Sequence, residues 1–270
     1  MCRFFSAIVM RSGEIIARPQ ATDSHEDLLA MISAKDGLAQ REGFARVEFT
    51  PPKDAIEITD VSRWNFELDE ATTPEWFNAT KVRKDLEDRV RRMFITKDTP
   101  ALIGGCHIID ATVRKVMSAR IVFMRGSAQV TRMHGSSLVN YMYDKSQIKI
   151  MQDSSRVQNM YDSSQIGIMH DAAQVETMRD EAQINYMQEF SLVERMRDST
   201  KIGSMHDSAR VMDMSSISQV GTMHRSTQIG SMWDGSRVEA MHGGSQVMSM
   251  YDSAHVVNMY DSSRIVNNES

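Results

Sequence analysis

From Met124 onward the apolar residues of this chain fall in a nine-residue rhythm. Methionine stands at 124 and at every ninth position to Met259, sixteen times without a gap. Val or Ile follows six residues after each, from Val130 to Ile265, and Ser, Ala or Thr follows four residues after each. The consensus is Met-x-Asp-Ser-Ser-Gln-Val-x-x, with positions 1 to 9. A short fixed period with fixed apolar positions is the mark of a solenoid. Positions 5 and 7 share one face of a strand, because side chains alternate. Asp-Ser or Gly-Ser at positions 3 and 4 suits a turn, since short polar side chains can bond their own backbone there. Each unit is expected to be a short strand and a corner. The β-branched residue belongs to the strand, and flexible Met fills the space beside the corner.

The variable positions decide how many units close a coil. At position 2, one alternate set reads His134, Gln152, His170, Gln188, His206, His224, His242, Tyr260. The other reads Arg125, Tyr143, Tyr161, Arg179, Arg197, Ser215, Trp233, Tyr251. All the position-2 histidines fall in the first set, and taking every third unit gives no such sorting. Position 7 alternates Ile and Val from Ile148 to Val211. Two units per coil follow. Residues 124–270 are predicted to form a flat parallel β-solenoid of about eight 18-residue coils, with Met and Val or Ile from two sheets meeting between them.

Residues 1–105 have ordinary mixed patterning. Apolar residues to Met10, the turn Arg11-Ser12-Gly13-Glu14 and Ile15-Ile16 read as a hairpin. Ser24 with Asp27 three residues on resembles a capping box before the stripe Leu28, Leu29, Ile32, with Gly37 as a stop. Ala45, Val47 and Phe49 alternate with polar neighbours until Pro51-Pro52, and Trp64, Phe66 and Leu68 alternate again. A stronger helix is expected after a Thr73 cap and Pro74, because Val82, Leu86, Val90 and Met93 lie on one helical face. This part is predicted to be a small α+β domain capping the solenoid's first edge. Residues 106–123 are expected to be irregular entry coils.

The charge balance is mildly acidic, with 31 Lys and Arg against 36 Asp and Glu, so no basic footprint for nucleic acid is present. Two cysteines cannot make a disulfide framework. The apolar stretch Phe4 to Met10 is too short for a signal-peptide core, and no run approaches a membrane span. The expectation is a soluble cytoplasmic protein with no membrane association.

Candidate chemistry is sparse. His206, His224 and His242 would stack in consecutive coils, where imidazoles could share zinc or copper, although identical residues stack in any solenoid. The Asp ladder at position 3 lacks the glycine pattern of calcium-binding nonapeptide rolls and is read as turn-forming. Tyr143, Tyr161, Trp233 and Tyr251 with Arg179 and Arg197 share the other side, and aromatic and Arg residues are enriched in protein interfaces. Gln129, Gln147, Gln165 and Gln183 can form an amide ladder. Position 8 should point outward, yet it becomes Val257 and Val266 in the last two units, which suggests a homodimer joined through the C-terminal coils. Cys2 would be an N-terminal nucleophile after loss of Met1, and Met-Cys-Arg resembles the start of class II glutamine amidotransferases. Arg3 stands where that family has Gly and no further motif follows, so Cys2 is read as a buried cysteine. No cofactor is expected.

The repeat Met-Tyr-Asp-Ser-Ser-Gln-Ile resembles a group of uncharacterised phage and gut-bacterial proteins. So do Cys2-Arg3-Phe4-Phe5-Ser6-Ala7-Ile8, Asp23-Ser24-His25-Glu26, Val47-Glu48-Phe49-Thr50-Pro51-Pro52 and Pro74-Glu75-Trp76-Phe77. Proteins of that group pair a small N-terminal domain with Met-x-Gly-Ser-Ser-Gln-Val arrays. The resemblance implies a viral or prophage setting, in the host cell cytoplasm or associated with the virion, and carries no activity. The leading expectation is a non-enzymatic scaffold presenting an extended ladder to a protein partner. Two alternatives stand beside it. The N-terminal domain could be an enzyme or small-molecule binder, marked by a deep pocket near Cys2, His25 or His107. Or the array could mimic nucleic acid and inhibit a host enzyme, against which stand its 17 acids and 13 bases after Met124.

Overall fold

The computed structural model describes residues 5–22, 24–33, 43–52 and 60–269. Cys2, Asp23 and Gly37 lie outside these residues. The chain divides into two compact units, 1–94 and 95–270.

In the first unit, β1 (Ser6–Met10) pairs antiparallel with β2 (Ile15–Ile16) and with β3 (Phe44–Thr50), and β3 pairs with β4 (Asn65–Leu68). The hairpin turn uses Gly13 at φ +89°, a conformation open to glycine. Helix α1 (His25–Ser33) packs Leu28 and Ile32 against Ile8 and Met10. Ser24 Oγ accepts from the Asp27 amide at 3.3 Å, as the capping pattern predicts. Helix α2 (Ala79–Arg91) buries Val82, Leu86 and Val90 on the expected face. Its start is not at Thr73. Pro74 accepts from the Phe77 amide in a separate turn, and the Asn78 side chain caps the helix by accepting from Lys81 N at 3.0 Å. A side-chain acceptor aimed at a free helix-end amide outweighs the preference of Pro for a first turn.

The second unit is a flat parallel β-solenoid. One sheet has ten strands and the other eleven, and consecutive strands of the chain alternate between them. From Gln129 onward each residue pairs with the one 18 residues later, as in Val130 with Ile148 and Met133 with Met151. Two nonapeptides therefore close one coil. The array has about ten turns rather than eight, because shorter, irregular turns precede the regular ones. Val113 pairs with Val130, seventeen residues on, and Thr99 with Val113, fourteen residues on. Strands Thr99–Ile103 and Cys106–Ile109 already belong to the solenoid's sheets.

Each regular side is a five-residue strand running from position 6 to the next methionine, followed by a corner over positions 2 to 5. Methionine, the small residue and Val or Ile are buried in the regular coils up to Ala254, the apolar ones in a single cluster to which Val256 and Ile265 add partly buried side chains. Strict alternation would not put positions 7 and 1 on the same side, since three steps separate them. Positions 8 and 9 both intervene on the outer side in most coils, and the strand slips its alternation there as at a bulge. Four position-8 residues are glycines, and at Gly203 a Cβ would lie 2.5 Å from the Asn185 carbonyl oxygen of the preceding coil.

The corners bond their backbone amides mainly to the neighbouring coil. The position-2 amide donates to the position-1 carbonyl of the preceding coil, as Tyr143 N to Met124 O at 3.0 Å. The position-4 and position-6 amides do likewise, as Lys145 N to Gly126 O and Gln147 N to Ala128 O, and the position-5 amide closes the turn on position 2, as Ser146 N to Tyr143 O. The position-3 amide is left over. At nine corners it donates to the position-3 carboxylate one coil later, as Asp144 N to Asp162 Oδ2 at 2.9 Å and Asp153 N to Asp171 Oδ2 at 3.0 Å. The Asp ladder is thus a stacking device: the carboxylate bonds the neighbouring coil, where the sequence suggests its own. Position 3 also has positive φ, from 54° to 62° at its non-glycine residues, which Asp tolerates better than most side chains.

Candidate functional site

The two corners carry two columns of position-2 side chains, each rising one residue per coil. One corner follows the ten-stranded sheet and holds the histidine set. The other follows the eleven-stranded sheet and holds the aromatic and arginine set. The spacing of parallel strands, roughly 4.8 Å, makes flat rings stack.

On the histidine corner, the His206 and His224 rings lie 4.6 Å apart and 10° from parallel, His224 and His242 5.0 Å and 7°, and His242 and Tyr260 4.6 Å and 10°. Stacked parallel rings point their in-plane nitrogen lone pairs side by side. To share one ion at a Zn–N distance of about 2.0–2.1 Å, a ring would have to rotate out of the stack. The His224 imidazole pKa is held below its ordinary value, first by burial and then by His206 and His242. Lower on the same corner, ligand atoms of His170, Asp171 and Glu189 lie within 4.8 Å of one another. The sequence reading missed this group. Its signal is a His-Asp pair with an acid 18 residues on. Its carboxylates already hold the ladder, since Glu189 Oε2 accepts from the Asp171 amide and Asp171 Oδ2 from the Asp153 amide, and His170 Nδ1 sits 3.0 Å from Asp171.

On the other corner, Tyr143 and Tyr161 stack at 5.2 Å and Trp233 and Tyr251 at 3.9 Å. Tyr141 and Phe123, from the adjoining strand ends, extend the lower stack at 6.0 Å and 5.5 Å. Burial among these rings pushes the Tyr143 hydroxyl up to about 12, with Tyr161 and Tyr141 adding to the effect. Between the two aromatic stacks stand Arg179 and Arg197, exposed and without an ion pair among the described residues. All six candidate interface residues thus lie in one column.

Val257 and Val266 are both exposed, at 44% and 46%. They belong to different sheets, Val257 to the ten-stranded and Val266 to the eleven-stranded one, and so lie on opposite faces. The glutamine column makes an amide bond from Gln147 Nε2 to Gln165 Oε1 at 3.3 Å. A shallow hollow of about 420 Å³ lies on the outer face of the ten-stranded sheet, floored by Gly167 and walled by Lys149, Ile150, Ile168 and Tyr186. In the first unit, His25 is buried, with Nε2 3.0 Å from the Val47 carbonyl and Nδ1 3.4 Å from Asp69. His107 Nε2 lies 3.0 Å from the Gly104 carbonyl. Among the described residues no helix is long and apolar enough to cross a membrane.

No protein-family model, curated protein or solved structure matches this chain.

Proposed function

We propose that the protein is a binding scaffold, and that the aromatic and arginine corner docks an extended segment of a protein partner. The observation that carries this reading is the order of the column. Two exposed guanidinium groups at successive coils, Arg179 and Arg197, stand between the Tyr143–Tyr161 and Trp233–Tyr251 stacks. Rigid aromatic rings offer contact area at small entropic cost, and arginine forks recognise carboxylates. The matching segment carries acidic side chains at its centre and apolar ones at its ends. The resemblance of the repeat to phage and gut-bacterial arrays supports a phage or prophage setting.

The test is capture from phage-infected host extract on three immobilised forms of the chain: unchanged, Arg179→Glu with Arg197→Glu, and His206→Gln with His224→Gln. Loss of a captured protein only with the arginine variant supports the reading. Equal capture by all three forms removes the corner as the docking site.

A further inference from the structure

We infer that two copies of this chain pack face to face through the C-terminal half of the eleven-stranded sheet. Position 8 of this sheet changes character along the array. Glu176 and Glu194 give way to Met212, Gly230, Met248 and Val266 in four successive coils. The three side chains are 48%, 40% and 46% exposed, in a solenoid whose other large apolar groups are mostly buried. The residues flanking the middle of this column, Gln228, Ser231, Gln246 and Ser249, carry no charge. The opposite sheet over the same coils shows no such column. It presents Gly203, Gly221, a Glu239 already paired with Arg237, and a single exposed Val257 in the last coil.

Charge identifies the occupant as a second copy. Arg210 and Asp213 flank Met212 at positions 6 and 9, both exposed, and neither makes an ion pair among the described residues. A two-fold axis parallel to the stack sets each coil against its own equivalent with strands reversed, so position 6 faces position 9. Arg210 then meets Asp213 of the partner subunit, and the reciprocal pair forms automatically. The methionines interdigitate between these pairs. Four strands at ~4.8 Å and a strand of roughly 16 Å give a small patch. At roughly 300 Å² per copy the patch is well below the roughly 800 Å² of a standard interface, so association is expected to be weak, on the order of 100 μM. The inference is independent of the corner reading, whose residues lie at position 2.

Light scattering on the full chain from about 1 to about 200 μM tests it. The expected result is a concentration-dependent dimer. Arg210→Asp alone and Asp213→Arg alone should each weaken the dimer by roughly tenfold or more. An equimolar mixture of the two single variants should form a heterodimer, and the Arg210→Asp, Asp213→Arg double variant should regain the homodimer. Val257→Lys, on the other face, should leave the mass unchanged. Circular dichroism of each variant should match that of the unchanged chain. A monomer throughout the range overturns the inference. So does a dimer indifferent to both charge reversals.

Discussion

The Asp162 carboxylate accepts a hydrogen bond from the backbone amide of Asp144, one coil earlier, at 2.9 Å. The contact satisfies the corner amide that the parallel ladder leaves over, and it recurs at each corner from Gly126 to Asp180 and again at Ser216 and Gly243. Asp162 also sits at φ +54°. Asp162→Ala removes the acceptor and strains the backbone, so it should destabilise the array by roughly 1–2 kcal/mol. Asp162→Asn keeps an oxygen and tolerates positive φ, so it should cost less than about 0.5 kcal/mol. Thermal melts of the two variants check this. Equal effects would mean that the carboxylate ladder contributes nothing.

Much of the solenoid is legible in the sequence because one constraint repeats sixteen times. Met, the small residue and Val or Ile are fixed by burial, and the sorting of histidines at position 2 separates the two sides. What was not legible depends on distances between coils. An Asp beside a Ser reads as a self-bonding turn, and only the stacked backbones show that the carboxylate reaches back 18 residues. The first turns were hidden because Thr99–Ile103 and Thr112–Met117 pair at fourteen and seventeen residues, off the regular period. For the site, the columns were readable and their faces were not. Val257 and Val266 share a repeat position, but a one-unit step moves a residue to the opposite sheet. Met212 and Met248 passed unseen because methionine elsewhere in the array means core.

Met187 and Met259 hold the same repeat position in different surroundings. Met187 is fully buried, whereas Met259, in the last strand of the ten-stranded sheet, is 43% exposed. Met187→Ala should cost roughly 2–4 kcal/mol, the usual range for opening a cavity in a core. Met259→Ala should cost under about 1 kcal/mol. Met187→Asp should abolish the cooperative array, because an unpaired charge would be buried. Denaturant melts followed by far-UV dichroism give the comparison, and equal costs at 187 and 259 would contradict a core that is continuous up to its last coil.

Gly203 has no room for a side chain, since a Cβ would sit 2.5 Å from the Asn185 carbonyl oxygen, and that oxygen is backbone in a paired strand. Gly203→Ala should therefore destabilise by roughly 1–3 kcal/mol through strain between coils. Gly235, whose nearest neighbours lie at 3.5 Å or beyond, is the control. Gly235→Ala should change stability by less than about 0.5 kcal/mol. Hydrogen exchange at the flanking coils would locate the loosening.

Protonation separates the two ladders by pH. The Asp171 carboxyl is held below its ordinary value of 3.8, first by the Asp153 amide. Its contribution is present above pH 3.8 and is lost as pH falls through the lower folded value. His224 acts at milder acidity. Burial and its two imidazole neighbours keep its folded pKa below 6.5. Above that value neither the folded nor the unfolded form binds the proton. As pH falls below 6.5 the unfolded chain binds it first, so stability declines until the folded pKa is passed and then levels off. Asp207, which follows His206 on this corner, is engaged by Arg225. Melting of the unchanged chain should therefore fall between pH 7.5 and 5.5. His224→Gln, which places in this column the residue found at Gln152 and Gln188, should fall less over the same interval. Identical falls for both chains would show that the stacked imidazoles do not resist protonation.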